Sequence, residues 1–141
     1  MISTAEVARL AHRLGVGDRV IEKDYVLSWL LVAIAESDLR GKLAFKGGTA
    51  LKRCYYPDYR FSEDLDFTLH VDLPHDDLIG AFGAVFPWLS RQANITLTIG
   101  SAEHSWKQRA VHRLCGAVAS ASWLPPLYSA RHLKVDVTRG E

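Results

Sequence analysis

Arg60-Phe61-Ser62-Glu63-Asp64-Leu65-Asp66-Phe67 is the stretch of sequence that decides the fold of this chain. A β-strand places alternate side chains on opposite faces. A strand from Asp64 to about His70 therefore directs Asp64, Asp66 and Thr68 to one face, and the apolar residues between them into a core. The two carboxylates lie roughly 6–7 Å apart at their Cα atoms. A cation between them would relieve their repulsion, and hard carboxylate oxygens suit Mg²⁺.

A second motif lies just upstream, where an apolar strand is followed by two glycines and a helix. The strand is predicted over Leu43 to Lys46, and Gly47 and Gly48 lead into a short helix with Thr49 as its N-cap. Glycines let the backbone approach a ligand closely, and the first N–H groups of a helix point towards an anion. The motif indicates a phosphate site, although two glycines alone are also typical of a tight turn.

A third carboxylate lies near the end of the chain. Residues 133–138 alternate between apolar and polar, as in a half-buried strand whose valines face a core. Asp136 and Thr138 then share the opposite face. A lone aspartate at such a position is usually an ordinary exposed side chain. The candidacy of Asp136 as a metal ligand therefore depends on Asp64 and Asp66.

The order of these motifs resembles a known superfamily. Two glycines, a helix, an Asp-x-Asp strand and a later single aspartate form the pattern of nucleotidyltransferases with a polymerase-β-type fold. The segments 45–51 and 60–67 are similar to those of the AbiEii/AbiGii-type toxin nucleotidyltransferases of bacterial toxin–antitoxin and abortive-infection systems. Segments 21–25 and 134–139 also match that family. The resemblance covers nearly the whole chain except residues 72 to 131.

This resemblance implies an α+β fold in which helices flank a mixed, largely antiparallel sheet. It implies one nucleotidyltransferase domain over residues 1–141, with N-terminal helices at 3–36 and the catalytic sheet at 43–138. Members of the family usually continue into a helical C-terminal half. Because the sequence stops at Glu141, we expect that half to be absent.

The resemblance also implies a reaction, in which a nucleoside monophosphate moves from a nucleoside triphosphate to an acceptor. Two Mg²⁺ ions would be held by Asp64, Asp66 and Asp136, with Asp136 as general base or as a ligand of the second ion. The implied acceptor is RNA, such as the 3′ end of tRNA, or a protein. A cognate antitoxin is the implied partner. The implied nucleotide ligands are Lys46, Gly47, Gly48, Thr49, Arg60 and Ser62.

Several of these residues have simpler interpretations. Lys46 could be a strand-end lysine in solvent, and Arg60 could pair with Asp58 or Glu63, a contact of little energy. Near the N-terminus, Glu22 and Asp24 are predicted to pair with Lys23 or Arg19. Two other classes of protein remain open. One is a non-catalytic fragment that binds a nucleotide or the antitoxin. The other is a metal-dependent glycosyltransferase, which the glycine pair and the lack of a long βαβ series disfavour.

Composition limits the function classes further. The net charge of +1 provides no overall basic field for nucleic acid, so any RNA contact must be local. The mixed basic and aromatic stretch 106–113 is such a candidate, but it is more typical of a solvated loop and strand edge. Two distant cysteines suggest neither a zinc site nor disulfides, which favours a cytoplasmic protein. The apolar run 26–35 is too short to span a bilayer, so no membrane association is predicted.

The remaining elements follow from periodicity and turn residues. A helix capped by Ser3 or Thr4 is predicted to end at Gly15 and Gly17, and a second is predicted over residues 19–36. Pro74 is predicted to open a helix that ends near Arg91. Strands are predicted at 95–99 and 113–122, antiparallel to each other. The six histidines show no metal-ligand spacing and are predicted to lie at the surface.

Overall fold

Two helices precede the sheet. The computed structural model describes residues 2–58, 60–61, 64–105, 111–121 and 132–139. Helix α1 spans Thr4–Leu14 and α2 spans Asp18–Ala35. The Ser3 hydroxyl accepts a hydrogen bond from the Glu6 N–H, and the Glu6 carboxylate accepts one from the Ser3 N–H at 2.7 Å. This capping box and the left-handed Gly15, with φ 66°, confirm the predicted bounds of α1.

Five strands form one mixed sheet. They are β1 (Leu43–Lys46), β2 (Asp64–Leu69), β3 (Ile95–Ser105), β4 (Val111–Ala121) and β5 (His132–Arg139). Their order across the sheet is β1-β2-β5-β4-β3. The β2–β5 pair is parallel, and the other three pairs are antiparallel. This confirms the α+β fold with a mixed, largely antiparallel sheet.

Helix α4 (His75–Ala93) connects β2 to β3 and covers the apolar face of the sheet. It follows Pro74 and ends at Asn94, which adopts φ 57°. Its buried residues join those of α2 and of the strands in one core, which includes Leu27, Leu65, Phe82, Leu89 and Val137. Because both long helices pack into this core, the opposite face of β2 and β5 stays partly open.

Strand β3 continues to Ser105, six residues past its predicted end at Ile99. The extension is paired with β4, with register irregularities between Thr96 and Leu97 and between Ile99 and Ser101. Backbone hydrogen bonds to a neighbouring strand maintain an extended conformation where the side-chain alternation is lost. The sequence pattern could not indicate this extension, because the neighbour that stabilises it is distant in sequence.

The surface prediction for the histidines is wrong for His112. This residue lies on β4 and is fully buried. Its Nδ1 lies 2.8 Å from Nδ1 of His75, and the two rings stack with centroids 5.0 Å apart. His75 begins α4, so the stack connects the start of that helix to the sheet. The burial results from tertiary packing and has no local sequence signal.

No helix among the described residues is both long enough and apolar enough to cross a membrane.

Candidate active site

Three aspartates lie together on the open face of the sheet. Asp64 and Asp66 lie on β2 and Asp136 lies on the neighbouring strand β5. The parallel register places Asp66 opposite Asp136 and Asp64 opposite Lys134. All three carboxylates are half-buried, while Leu65 and its apolar neighbours on each strand are buried in the core. The predicted alternation is therefore confirmed for the aspartates on both strands, whereas Thr68, predicted on the open face with Asp64 and Asp66, is buried.

Asp66 is partly buried and lies between two other negative charges. Burial raises the pKa of Asp66 above its ordinary value, and the negative charges of Asp136 and Asp64 raise this pKa further. Lys134 and Lys46 act in the opposite direction. Asp66 therefore lies where an additional cation would be most stabilising.

This raised pKa predicts a pH-dependent stability difference between the wild-type protein and Asp66→Asn. The folded state binds the Asp66 proton more tightly than the unfolded state does, so protonation of Asp66 stabilises the fold. This stabilisation is fully present below the unfolded pKa, about 3.9. It is lost as the pH rises through the raised folded pKa. Asparagine does not titrate, so only the wild type loses this stabilisation. In metal-free buffer, the melting temperature of Asp66→Asn should therefore rise relative to that of the wild type as the pH increases from the unfolded pKa through the folded one. A difference that is constant with pH would contradict the assignment.

Lys134 and Arg113, both in the described part of the chain, contact the aspartates directly. The Lys134 Nζ lies 3.3 Å from Asp64 Oδ2 and 3.9 Å from Asp136 Oδ2. The Arg113 guanidinium binds Asp136 with both ends of its fork, from Nε to Oδ1 at 2.9 Å and from Nη2 to Oδ2 at 3.2 Å. Neither cation was predicted from the sequence to belong to the site. The sequence could have predicted Lys134 as part of the site, because Lys134 lies two residues before Asp136 and shares its face of the strand.

The position of Arg113 in the site could not have been predicted from the local sequence. It reaches Asp136 because β4 pairs with β5 in the register that places the two residues opposite each other. That register joins segments 23 residues apart and follows from no local pattern. The expectation that Trp106, Lys107 and Arg109 belong to a solvated loop lies outside the described residues.

The predicted glycine motif lies directly beside Asp66. Lys46 is the antiparallel partner of Asp66, and its Nζ donates a hydrogen bond to Thr138 Oγ1 at 2.6 Å. Gly47 follows with φ +82°, in the left-handed region. A Cβ atom on Gly47 would lie 2.5 Å from Asp66 Oδ2, closer than real Cβ contacts. Position 47 thus requires glycine both for its backbone conformation and for the space that Asp66 occupies.

The helix after the glycines begins earlier than predicted. Helix α3 spans Gly47–Ala50 and continues as a π-helical segment, Leu51–Tyr55. Lys46 is the N-cap, so the prediction that Thr49 caps this helix is wrong. Thr49 is buried, and its hydroxyl donates to the carbonyl oxygen of Asp64 at 2.6 Å. This hydrogen bond anchors the helix start to the first residue of β2, and Gly48, the residue before Thr49 in the chain, is half-buried.

The other predicted residues lie around this centre. Arg60 is exposed in the segment before β2, and Ser62 lies outside the described residues. Asp24 has a partner that the sequence did not predict. Its carboxylate accepts a hydrogen bond from Arg53 Nη2 at 2.7 Å, and its backbone carbonyl accepts one from the same nitrogen at 3.1 Å. This contact ties α2 to the π-helical segment behind the glycine motif.

The donor chemistry of the aspartates suits a divalent cation. Carboxylate oxygens are the ligands that Mg²⁺ prefers, and the raised pKa of Asp66 reflects crowded negative charge. Within the described ranges, no three His, Cys, Asp or Glu side chains converge closely enough to hold an ion as they stand. Lys134 and Arg113 instead contact the outer two carboxylates. A metal ion could reach these carboxylates only after both ion pairs had rearranged.

Comparison with protein families gives a match over most of the chain. A protein-family model described as "Nucleotidyl transferase AbiEii toxin, Type IV TA system" matches residues 29–141, which is most of the chain. The matched segment contains all three aspartates, the glycine motif and both cations that contact the aspartates. No curated protein matches the chain.

Proposed function

This chain belongs to the AbiEii nucleotidyl transferase toxin family, and from that membership we propose that it moves a nucleoside monophosphate from a nucleoside triphosphate to an acceptor. One observation carries the proposal. Asp66 and Asp136 lie in register on neighbouring parallel strands, and Asp66 lies against Gly47 at the start of a helix. A carboxylate cluster beside a glycine-led helix start combines a cation site with a phosphate site.

The residues of the glycine motif would bind the triphosphate. The first N–H groups of the helical segment lack intrahelical partners, so they can donate to phosphate oxygens. Gly47 and Gly48 present the backbone without a side chain in the way, and Lys46 adds a positive charge at the N-cap. Arg60 and Ser62, which precede β2 in the sequence, are also proposed to contact the phosphates.

The three aspartates would act at the reacting phosphorus. Asp64, Asp66 and Asp136 are the proposed ligands of two Mg²⁺ ions, which when bound would offset the charge of the triphosphate and polarise the phosphoryl oxygens. We place Asp136 on the acceptor side, where one of its oxygens takes the proton of the attacking hydroxyl. The acceptor oxygen bonds to the α-phosphorus, the bond to the bridging oxygen breaks, and pyrophosphate leaves.

The acceptor and the partner are proposed from the family description. A toxin of a type IV toxin–antitoxin system has an antitoxin, which we propose as the partner of this chain. We propose RNA, in particular the 3′ end of tRNA, as the acceptor, with a protein as the second candidate. A single domain over residues 1–141 acting in the cytoplasm is consistent with this proposal.

A labelling experiment tests the proposal. The purified chain is incubated with Mg²⁺, total tRNA and each of ATP, CTP, GTP and UTP, labelled at the α-phosphorus in one series and at the γ-phosphorus in another. Nucleotidyl transfer places the α label in an RNA or protein band and leaves the γ label in pyrophosphate. Binding of a triphosphate without incorporation would instead indicate a non-catalytic nucleotide-binding protein. Incorporation of the γ label would indicate a phosphotransferase.

A further inference from the structure

Lys46, Lys134 and Arg113 are described cations that lie beside the three aspartates of the open face. Lys46 lies beside Asp66, Lys134 lies between Asp64 and Asp136, and Arg113 binds Asp136 with two hydrogen bonds. Arg113 is the most closely engaged of the three, because it binds both oxygens of one carboxylate. The lone pairs that this fork occupies are not available to a metal ion until the guanidinium moves.

We propose that Arg113 is a positioning residue with two successive partners: the Asp136 carboxylate in the metal-free protein, and a phosphate oxygen of the substrate once a divalent cation has taken Asp136. The inference rests on the proposed function, because it requires a cation and a phosphate at this site. It assigns a role to a residue on β4, a strand that supplies none of the proposed aspartate or glycine ligands.

The exposure of the two side chains favours movement of Arg113. Its side chain is 47% exposed, whereas that of Asp136 is 15% exposed. The arginine can therefore rotate towards solvent, while the carboxylate remains on the sheet beside Asp66. A partly exposed ion pair contributes little stability, so its exchange costs little. A divalent cation attracts the same carboxylate about twice as strongly as a monovalent one at equal distance, and therefore displaces the guanidinium.

The released guanidinium can then bind a phosphate group in the site. Arginine carries a planar fork that matches a phosphate as well as a carboxylate, and it keeps its charge at every physiological pH. When the cation occupies Asp136, Arg113 is still anchored on the strand next to β5. The nearest new negative charge would be that of the bound triphosphate.

This exchange predicts opposite effects of one substitution on two affinities. Arg113→Gln removes the competitor for Asp136, so the Kd for Mn²⁺ should fall by about 3- to 10-fold. The same change removes a phosphate contact, so the Kd for inorganic triphosphate at saturating Mg²⁺ should rise by about 10-fold or more. Arg113→Lys keeps the charge but loses the fork, and should fall between Arg113→Gln and the wild type in both measurements.

The experiment uses the full chain and two probes. Mn²⁺ binding is measured by electron paramagnetic resonance, and Mg²⁺-triphosphate binding by calorimetry, with circular dichroism to verify folding. Arg139→Gln is the matched control, because Arg139 also belongs to an Arg–Asp pair in this sheet, with Nη1 2.9 Å from Asp72 Oδ1. It removes the same charge without touching the three aspartates, and both affinities should stay near those of the wild type.

The outcomes separate the inference from the proposed function. Tighter Mn²⁺ binding with weaker triphosphate binding in Arg113→Gln, and neither change in Arg139→Gln, supports the exchange. Unchanged affinities in Arg113→Gln, with Mn²⁺ bound by the wild type, overturn the exchange and leave the metal site standing. A parallel loss of both affinities makes Arg113 a structural residue and also overturns it. If neither the wild type nor any variant binds Mn²⁺, the metal site of the proposed function fails, and the exchange fails with it.

Discussion

Asp66→Asn and Asp64→Asn should each lower kcat/KM for nucleotide transfer by at least about 10³-fold. This is more than the roughly 10²–10³-fold loss that is typical when one neutral hydrogen-bond donor to a transition state is removed. The reason is charge. The asparagine side chain keeps the shape of aspartate but cannot supply the negative charge that a metal site needs against a triphosphate. The measurement is the initial rate of label transfer from the α-phosphorus at several triphosphate concentrations.

Stability separates this prediction from simple unfolding. Asp66 is crowded by Asp64 and Asp136, so Asp66→Asn should raise the melting temperature in metal-free buffer near pH 8. Asp64 contacts Lys134 at the half-exposed edge of the site, so Asp64→Asn should change the melting temperature little. If a variant is as stable as the wild type but inactive, the substituted residue acts in the reaction and is not needed for folding.

Asp72→Asn is the matched control for both variants. Asp72 follows β2 by three residues and its side chain is 95% exposed. Its substitution removes the same charge from the same region of the sequence, outside the site. We expect it to retain wild-type kcat/KM. If Asp64→Asn or Asp66→Asn also retained wild-type turnover, the assignment of the aspartates to the reaction would be wrong.

Gly47→Ala should impair both folding and transfer. Position 47 has φ +82°, and a new Cβ would lie 2.5 Å from Asp66 Oδ2 and 3.0 Å from Asp66 Cβ. The backbone strain alone costs about 1 kcal/mol or more for an L-residue in the left-handed region. To remove the overlap, Asp66 has to leave its position beside Asp136. We therefore expect a fall of about 10²-fold or more in kcat/KM, because small displacements of catalytic groups have effects of that size.

Gly41→Ala provides the control for backbone strain. Gly41 has φ +81°, almost the same value, but nothing lies within 4 Å of a Cβ built there. Its loss of unfolding free energy, measured by urea denaturation, reports the conformational cost alone. Gly47→Ala should lose more stability than Gly41→Ala and, unlike it, should lose activity. Equal losses of stability and unchanged activity would show that Gly47 serves only the turn.

A double-mutant cycle identifies Asp66 as the neighbour responsible. In an Asp66→Ala background the carboxyl group that meets the new Cβ is absent. The stability cost of Gly47→Ala should therefore decrease towards that of Gly41→Ala. A cost that is independent of residue 66 would place the steric conflict elsewhere.

The local sequence was sufficient to predict the elements of the site. Alternation placed Asp64 and Asp66 on one face of β2 and Asp136 on the corresponding face of β5, because side-chain direction along a strand depends only on position in the pleat. The Ser3 cap and Gly15 likewise determined the bounds of α1, since capping involves residues within one turn. Each of these predictions needed a window of about ten residues or fewer.

What only the tertiary structure decided concerns the pairing of distant segments. The parallel register of β2 with β5 places Asp66 opposite Asp136, and the register of β4 with β5 brings Arg113 to the same carboxylate. The same packing buries His112 beneath the start of α4 and turns the expected cap Thr49 into an anchor on β2. Register between strands is determined by which faces share a core and by the hydrogen bonds of the whole sheet. The sequence therefore determined which residues face the site, and the folded sheet decided which of them touch.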